Sequence, residues 1–220
     1  MLIKDLVNQL LNGNTLDQCF KDKSDSQKGY IFEALFKILS IDKNITSIPL
    51  LYDDIFNDQT SQILTSRPVS NITQIYDVNV SNSSGGKSDL TTIFNGKFTF
   101  TSVKFKTHFI PGESDIEKVN NEASSDLKLT DTEYNLSFVC KDKSTVINHK
   151  HQHPSVKKYF DKIIKNNLLF DLEDVIRGVD EFHTLHKNKS YEEYCDYINS
   201  ECLGNSRETL RERLHQRMTL

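Results

Sequence analysis

Residues 81–106 read SNSSGGKSDLTTIFNGKFTFTSVKFK, and the second half of this stretch decides the fold. The segments 89–94 and 97–106 are rich in β-branched and aromatic residues and alternate with a period of two, which predicts two strands. Between them stand Asn95 and Gly96, the dipeptide that most strongly favours a tight hairpin turn. The stretch therefore predicts an antiparallel β-hairpin.

The glycines before the hairpin suggest a different function. Gly86, Lys87 and Ser88 resemble the end of a phosphate-binding P-loop, G-x-x-x-x-G-K-[ST]. The first glycine of that motif would fall at position 81, which is a serine, and a strand follows where the motif requires a helix. Without a helix N-terminus, the loop would lack the free amides and the dipole that hold phosphates. These two mismatches make nucleotide binding through Lys87 an alternative and not the main hypothesis.

Helices are predicted on both sides of the hairpin. The run GYIFEALFKILS (29–40) carries an apolar stripe, and either Ser24 or Ser26 can cap it. Further helices are predicted at 2–11, 49–56, 113–127, 155–165, 173–186 and 191–220, and further strands at 72–80 and 134–140. The order helix, three strands, helix, strand indicates an α/β fold with a central mixed sheet flanked by helices, and extra helices follow at the C-terminus.

The composition indicates a soluble intracellular protein with a packed core. Hydrophobic residues make up 36% of the 220 residues, with 13 Phe and 8 Tyr. The net charge of −4 excludes a surface that is basic throughout, so any nucleic-acid contact must be local. The four cysteines form no CxxC pair, and the N-terminal run has the wrong composition for a signal peptide. No apolar run approaches the ~20 residues that span a membrane.

Residues on the predicted helix and hairpin have the chemistry of a hard-cation site. Asp89 begins the first hairpin strand, while Ser102 and Lys104 lie across the turn on the second. Glu33 lies on the capped helix, near the edge of its apolar stripe. Carboxylate oxygens bind Mg²⁺, which polarises a phosphoryl oxygen and lowers the pKa of its water. A lysine beside such a cation stabilises the charge that develops on a phosphate, so the set points to phosphodiester hydrolysis.

The segments GYIFEALFKIL, GGKSDLTTIFNGKFTFTSVKFK and YNLSFVC, in this order, resemble the PD-(D/E)xK, or restriction endonuclease-like, nuclease superfamily and its Mrr-like branch. The resemblance covers roughly residues 25–140. It matches Gly29 and Glu33 to the glycine and glutamate of the family's first core helix. It also matches Gly86 and Asp89, with a short insertion, to the Gly-x-Asp at the start of the second strand.

The family's Glu/Gln-x-Lys motif reads Ser102-Val103-Lys104 in this chain. The resemblance implies an αβββαβ core and a DNA endonuclease that requires Mg²⁺ or Mn²⁺. Glu33, Asp89 and the backbone carbonyl of Val103 would hold the cation, and Lys104 would act on the phosphate and the water. Ser102 would occupy a weakened ligand position, since its hydroxyl is shorter than a carboxylate side chain. The serine also leaves open a second hypothesis, a non-catalytic DNA-binding or assembly module on the same fold.

Lys87 and Lys106 flank the hairpin and are candidate contacts for the nucleic-acid backbone. Charged residues on an edge strand also prevent unwanted strand pairing, which is the alternative interpretation of Lys106.

Two groups of histidines invite a second interpretation. His149, His151 and His153 stand at alternate positions and would share one face of a strand, where they could bind a transition metal. An exposed polar loop is the alternative. The histidines of FHTLH (182–186) are expected on the surface of a helix.

The chain is predicted to divide into a nuclease-like domain at 1–188 and a helical tail at 189–220. The last segment, LRERLHQRMTL (210–220), resembles the stretch ahead of the ATP-binding motor in superfamily 2 helicases. This resemblance implies the N-terminal part of a larger helicase-nuclease, with DNA and a fused motor domain as partners. An ordinary charged helix is the alternative.

Overall fold

A computed structural model describes the chain over residues 3–49, 51–52, 88–94, 96–106, 110–121, 123–124, 128–149 and 154–203. The helices within these ranges are α1 (Ile3–Leu11), α2 (Leu16–Phe20), α3 (Asp25–Ile41), α4 (Glu113–Asn121), α5 (Lys143–Asn148), α6 (Pro154–Lys165), α7 (Leu172–His186) and α8 (Tyr191–Tyr197), followed by a π-helical turn (Ile198–Leu203). The strands are β1 (Leu51–Tyr52), β2 (Leu90–Phe94), β3 (Lys97–Val103), β4 (Tyr134–Val139) and β5 (Leu169–Phe170).

The strands form one mixed sheet in the order β1-β2-β3-β4-β5. β2 is antiparallel to both of its neighbours, whereas β3, β4 and β5 are parallel to one another. The β2–β3 pair is the predicted hairpin, and Gly96 in its turn has a φ of +75°, in the left-handed region that glycine enters without strain. The prediction of an α/β fold with a mixed sheet is therefore confirmed.

Helices cover both faces of this sheet. Phe138 of β4 pairs in register with Leu169 of β5, so the next residue, Phe170, points to the opposite face. The ring centroid of Phe36 in α3 lies 5.5 Å from that of Phe170, and Phe160 in α6 lies 6.1 Å from Phe138. Helices α3 and α6 therefore pack on opposite faces, and the apolar core fills both interfaces.

Local sequence sets the start of α3, the helix that carries part of the candidate site. Ser24 is its N-cap: the serine hydroxyl accepts the Gln27 N–H, and the Gln27 side chain accepts the Ser24 N–H at 2.9 Å. This capping box selects Ser24 over Ser26. Every residue from 31 to 41 in this helix is buried, so charged residues within that span need partners inside the protein.

β1 lies where a short helix was predicted near residues 49–56, so that prediction is wrong for Leu51 and Tyr52. These two residues pair with β2 through their backbones. A short apolar run cannot distinguish a strand from a helix by its pattern, and here the partner strand decides. The strand predicted at 72–80 lies outside the described residues.

A buried polar cluster ties the C-terminal helices to the end of α3. Nε2 of His186 lies 2.5 Å from Oδ2 of Asp42, and the Tyr197 hydroxyl donates to Oδ1 of the same carboxylate at 2.8 Å. Burial acts to raise the pKa of Asp42, but hydrogen bonds from His186, the Asn44 backbone and Tyr197 outweigh it and hold the pKa below its usual value. The prediction that His186 lies on a helix surface is wrong, because its ring is buried in this cluster.

Candidate active site

Asp89 lies at the end of the hairpin ladder, where β3 extends beyond its partner. Pairing with β2 begins only at the residue after Asp89, so within the described part of the chain no strand lies beside the end of β3 on this side. The Asp89 side chain takes the place of a partner strand, since its Oδ2 accepts the Val103 N–H at 2.6 Å. The same oxygen accepts the Ser102 hydroxyl at 3.3 Å and the Lys104 ammonium at 3.1 Å. All three residues of the Ser-Val-Lys motif therefore contact this carboxylate.

Glu33 and Lys37 form a buried ion pair one turn apart on α3. Only 4% of the Glu33 side chain and 0% of the Lys37 side chain are exposed. Burial raises the pKa of Glu33 to about 7; Lys37 opposes this rise, the negative charge of Asp89 adds to it, and Lys104 opposes it. Glu33 therefore lies within electrostatic reach of the Asp89–Lys104 pair.

An aromatic contact brings α3 to this end of β3. The ring of Phe32, the neighbour of Glu33, lies 4.9 Å from the ring of Phe105, the neighbour of Lys104. The structure thereby gathers predicted residues from distant parts of the chain into one charged cluster. Its members are Glu33, Lys37, Asp89, Ser102 and Lys104.

Lys37 is the member of this cluster that sequence reasoning missed. A lysine on an amphipathic helix is normally solvated, so Lys37 was not expected to be buried. The signal was present in the spacing, because Glu33 and Lys37 are four residues apart and side chains at that spacing meet on a helix. A glutamate and a lysine so placed inside an apolar run predict a buried ion pair.

The two ion pairs differ in their access to solvent. The side chains of Asp89 and Lys104 are 12% and 31% exposed, whereas those of Glu33 and Lys37 are buried. A substrate can therefore approach from the Asp89–Lys104 side, with the Glu33–Lys37 pair behind it. Two carboxylates and two lysines balance in formal charge, so the cluster carries no excess negative charge of its own.

The oxygen atoms of the cluster are of the kind that coordinates a hard cation, but they are few. The three hydrogen bonds to Asp89 all reach Oδ2, so Oδ1 takes no part in them. The Lys104 amide donates to Val139 of β4 at 2.8 Å, and the preceding carbonyl, that of Val103, therefore faces Asp89. Among the described residues, no group of three or more Asp, Glu, His or Cys could hold a metal. A cation here would rely on two carboxylates, including that of Glu33, one carbonyl and solvent.

Ser102 stands where the sequence resemblance expects an acidic or amide ligand. Its side chain is buried, and its hydroxyl donates to Asp89. Used in this way, the hydroxyl orients the neighbouring carboxylate but offers no negative charge to a cation. The sequence and the structure therefore both lead us to expect that Ser102 is a weak ligand for a cation.

The other sequence-based candidates are either exposed or outside the described residues. Lys106 is exposed beyond the end of β3. Lys87 lies outside the described residues, as do His151 and His153, so the P-loop-like stretch and the histidine triplet stay predictions. His149, which is described, is exposed immediately after α5.

Two further findings bear on the function: the character of the helices and the comparison with known proteins. None of the helices given above combines the length and the apolar character needed to cross a membrane. Comparison with protein families, curated proteins and solved structures finds no match to this chain. Any functional assignment therefore rests on the sequence resemblance and on the chemistry of the site.

Proposed function

We propose that this chain is a divalent-metal-dependent nuclease of the PD-(D/E)xK type, which hydrolyses phosphodiester bonds in DNA. The observation that carries the proposal is the contact of Asp89 with Ser102 and Lys104 at the end of the β2–β3 hairpin, within electrostatic reach of the buried Glu33. The order of α3, β1, β2, β3, α4 and β4 also agrees with an αβββαβ core. Both features support an assignment that began from the sequence resemblance.

Each residue of the cluster has a definite role in this proposal. When bound, Mg²⁺ or Mn²⁺ would polarise the phosphoryl oxygen and supply a water of lowered pKa. Glu33, Asp89 and the Val103 carbonyl would hold the cation. Lys104, positioned 3.1 Å from Asp89, would stabilise negative charge on the phosphate in the transition state. Ser102 would keep the Asp89 carboxylate in place.

The test is cleavage of supercoiled plasmid and of single-stranded circular DNA, each with Mg²⁺, with Mn²⁺ and with EDTA. We expect cutting in either metal and none in EDTA. The matched control is the Asp89→Asn protein prepared in the same way. Cutting that persists in EDTA, or that is equal in the control, would show that the activity does not come from this site.

The second candidate function is a non-catalytic DNA-binding or assembly module on the same fold. It is favoured by the serine at position 102 and by the pairing of both carboxylates with lysines. Such a module would bind DNA equally well with and without a divalent metal.

Ser102→Glu separates the two candidates. A carboxylate at this position restores the family's third ligand, so we expect Mn²⁺ to bind about tenfold more tightly or better, and cleavage to be faster. Calorimetric titration with Mn²⁺ and the plasmid assay measure the two effects, with Ser102→Ala as the control for loss of the hydroxyl. If neither the wild type nor Ser102→Glu binds Mn²⁺, the nuclease proposal fails and the module is preferred.

The larger helicase-nuclease remains a prediction from the sequence. The segment that suggests it, residues 210–220, lies outside the described residues.

A further inference from the structure

A groove adjoins the candidate site at the carboxyl ends of the parallel strands. Phe105 follows β3 and Lys141 follows β4, while Leu172 and Ile176 belong to the helix after β5; all four line the groove. Helix α2 and the turn after it also line the groove, which encloses about 710 Å³. Ligands of open α/β sheets bind outside the carboxyl ends of the strands, so this is a favoured place for a substrate.

The floor of the groove is aromatic and apolar. The rings of Phe20 and Phe105 lie 5.1 Å apart, and both side chains are only half-buried. The Lys141 ammonium stands 4.8 Å from the centre of the Phe105 ring. Leu16 and Ile176 extend the apolar surface, and Ile176 is 41% exposed. Rings presented in this way, with a cation beside them, are platforms on which nucleobases stack.

The rim of the groove does not have the charge of a duplex-binding surface. Three lysines and three aspartates line the groove, so their formal charges cancel: Lys21, Lys28, Lys141, Asp17, Asp22 and Asp25. Duplex binding depends on excess positive charge against the phosphates. Unpaired bases can stack on the apolar floor, whereas the bases of a duplex are paired and cannot, so stacking favours a single strand here.

The position of the groove next to the candidate site indicates which ligand it binds. Phe105 is the residue after Lys104, so the groove begins within one residue of the lysine proposed to act on the phosphate, and Lys141 lies against the Phe105 ring. We propose that the groove binds unpaired bases of single-stranded DNA, next to the phosphate that is cut. This inference rests on the proposed function and names the strandedness of its substrate.

The test is fluorescence anisotropy in EDTA, where no cleavage occurs, with labelled dT15 and a duplex of the same length as probes. We expect dT15 to bind more tightly than the duplex. Removing a stacking partner by Phe20→Ala or Phe105→Ala should weaken dT15 binding by about tenfold or more. Because the rim is neutral, we expect the affinity to fall only weakly with added salt.

Two further variants make the test independent of folding. Ile176→Asp changes an exposed side chain, so it should block the groove without disturbing the core that Phe105 contacts. Leu185→Ala removes another exposed apolar side chain, nine residues further along α7, and should leave the affinity for dT15 unchanged. Equal or tighter binding of the duplex, or unchanged dT15 binding in the groove variants, would overturn the inference.

The outcomes also separate this inference from the proposed function. Groove-dependent dT15 binding by a wild type that never cuts DNA would retain the groove and reject the nuclease. Metal-dependent cutting with dT15 binding unaffected by Ile176→Asp would retain the nuclease and reject the groove.

Discussion

Lys37→Met is expected to lower the free energy of unfolding by about 3–5 kcal/mol at pH 8, because it leaves the carboxylate of Glu33 buried without its partner. Both side chains are buried, so bulk water does not replace the lost ion pair. Methionine has nearly the length of lysine, so the variant removes a charge without opening a large cavity. Urea unfolding, followed by circular dichroism, measures the change.

A double-mutant cycle isolates the pair. Glu33→Leu alone should also be destabilising, since it removes the carboxylate that forms the ion pair with the buried Lys37 ammonium. The double variant, with both charges removed, should be far more stable than either single variant. Additive losses in the double variant would show that the two side chains do not depend on each other.

A surface pair provides the matched control. Lys43 and Glu201 also form an ion pair, at 3.0 Å, but their side chains are 46% and 56% exposed. Lys43→Met should therefore cost no more than about 1 kcal/mol. A similar loss of stability in Lys37→Met and Lys43→Met would show that burial does not explain the cost of removing Lys37.

The pH dependence of the Lys37→Met loss has a definite sign. In the wild type, burial raises the pKa of Glu33 to about 7 even though Lys37 opposes the rise, so removing Lys37 raises the pKa of Glu33 further. A buried carboxyl with a raised pKa is protonated at low pH and imposes its full cost only when it ionises. The unfolded-state pKa is the same in both proteins, so the loss should be smallest well below pH 7, where Glu33 is protonated in both folded states, and grow as the pH rises through 7 and above.

The frame of the site could be predicted from sequence because its signals are local. The Asn-Gly turn and the alternation around it specify the β2–β3 hairpin, and Ser24 with Gln27 specifies the start of α3. Asp89 and Lys104 follow from that hairpin, since its register places the start of β2 beside the end of β3. Each of these predictions needs only residues that are close in sequence.

The parts that could not be predicted depend on partners far away in the chain. β1 is a strand because β2 lies beside it, not because of its own two residues. The hydroxyl of Ser102 is a donor to Asp89 because the ladder stops at that point. Burial of Lys37 follows from the packing of α3 on the sheet. Tertiary contacts decide all three, and none leaves a pattern within its own segment.

Asp89→Asn is expected to reduce metal-dependent DNA cleavage about 10³-fold or more, since a bound cation supplies several kcal/mol of transition-state stabilisation. Asparagine keeps an oxygen that can accept the Val103 N–H, so the hairpin end should stay folded. It loses the negative charge that both a cation and Lys104 require. The initial rate of plasmid cleavage in Mn²⁺ measures the effect, with the thermal midpoint as a check on folding.

Lys104 distinguishes a catalytic site from a structural ion pair at the same position. Lys104→Met should lower the cleavage rate by about 10²–10³-fold, as for other groups that stabilise transition-state charge, with little change in Mn²⁺ affinity. Asp131→Asn breaks a comparable but exposed pair with Lys158, whose atoms lie 3.5 Å apart, and should leave the rate unchanged. If Lys104→Met loses stability but not activity, the Asp89–Lys104 pair serves only to close the end of β3, and the non-catalytic module becomes the better account of the fold.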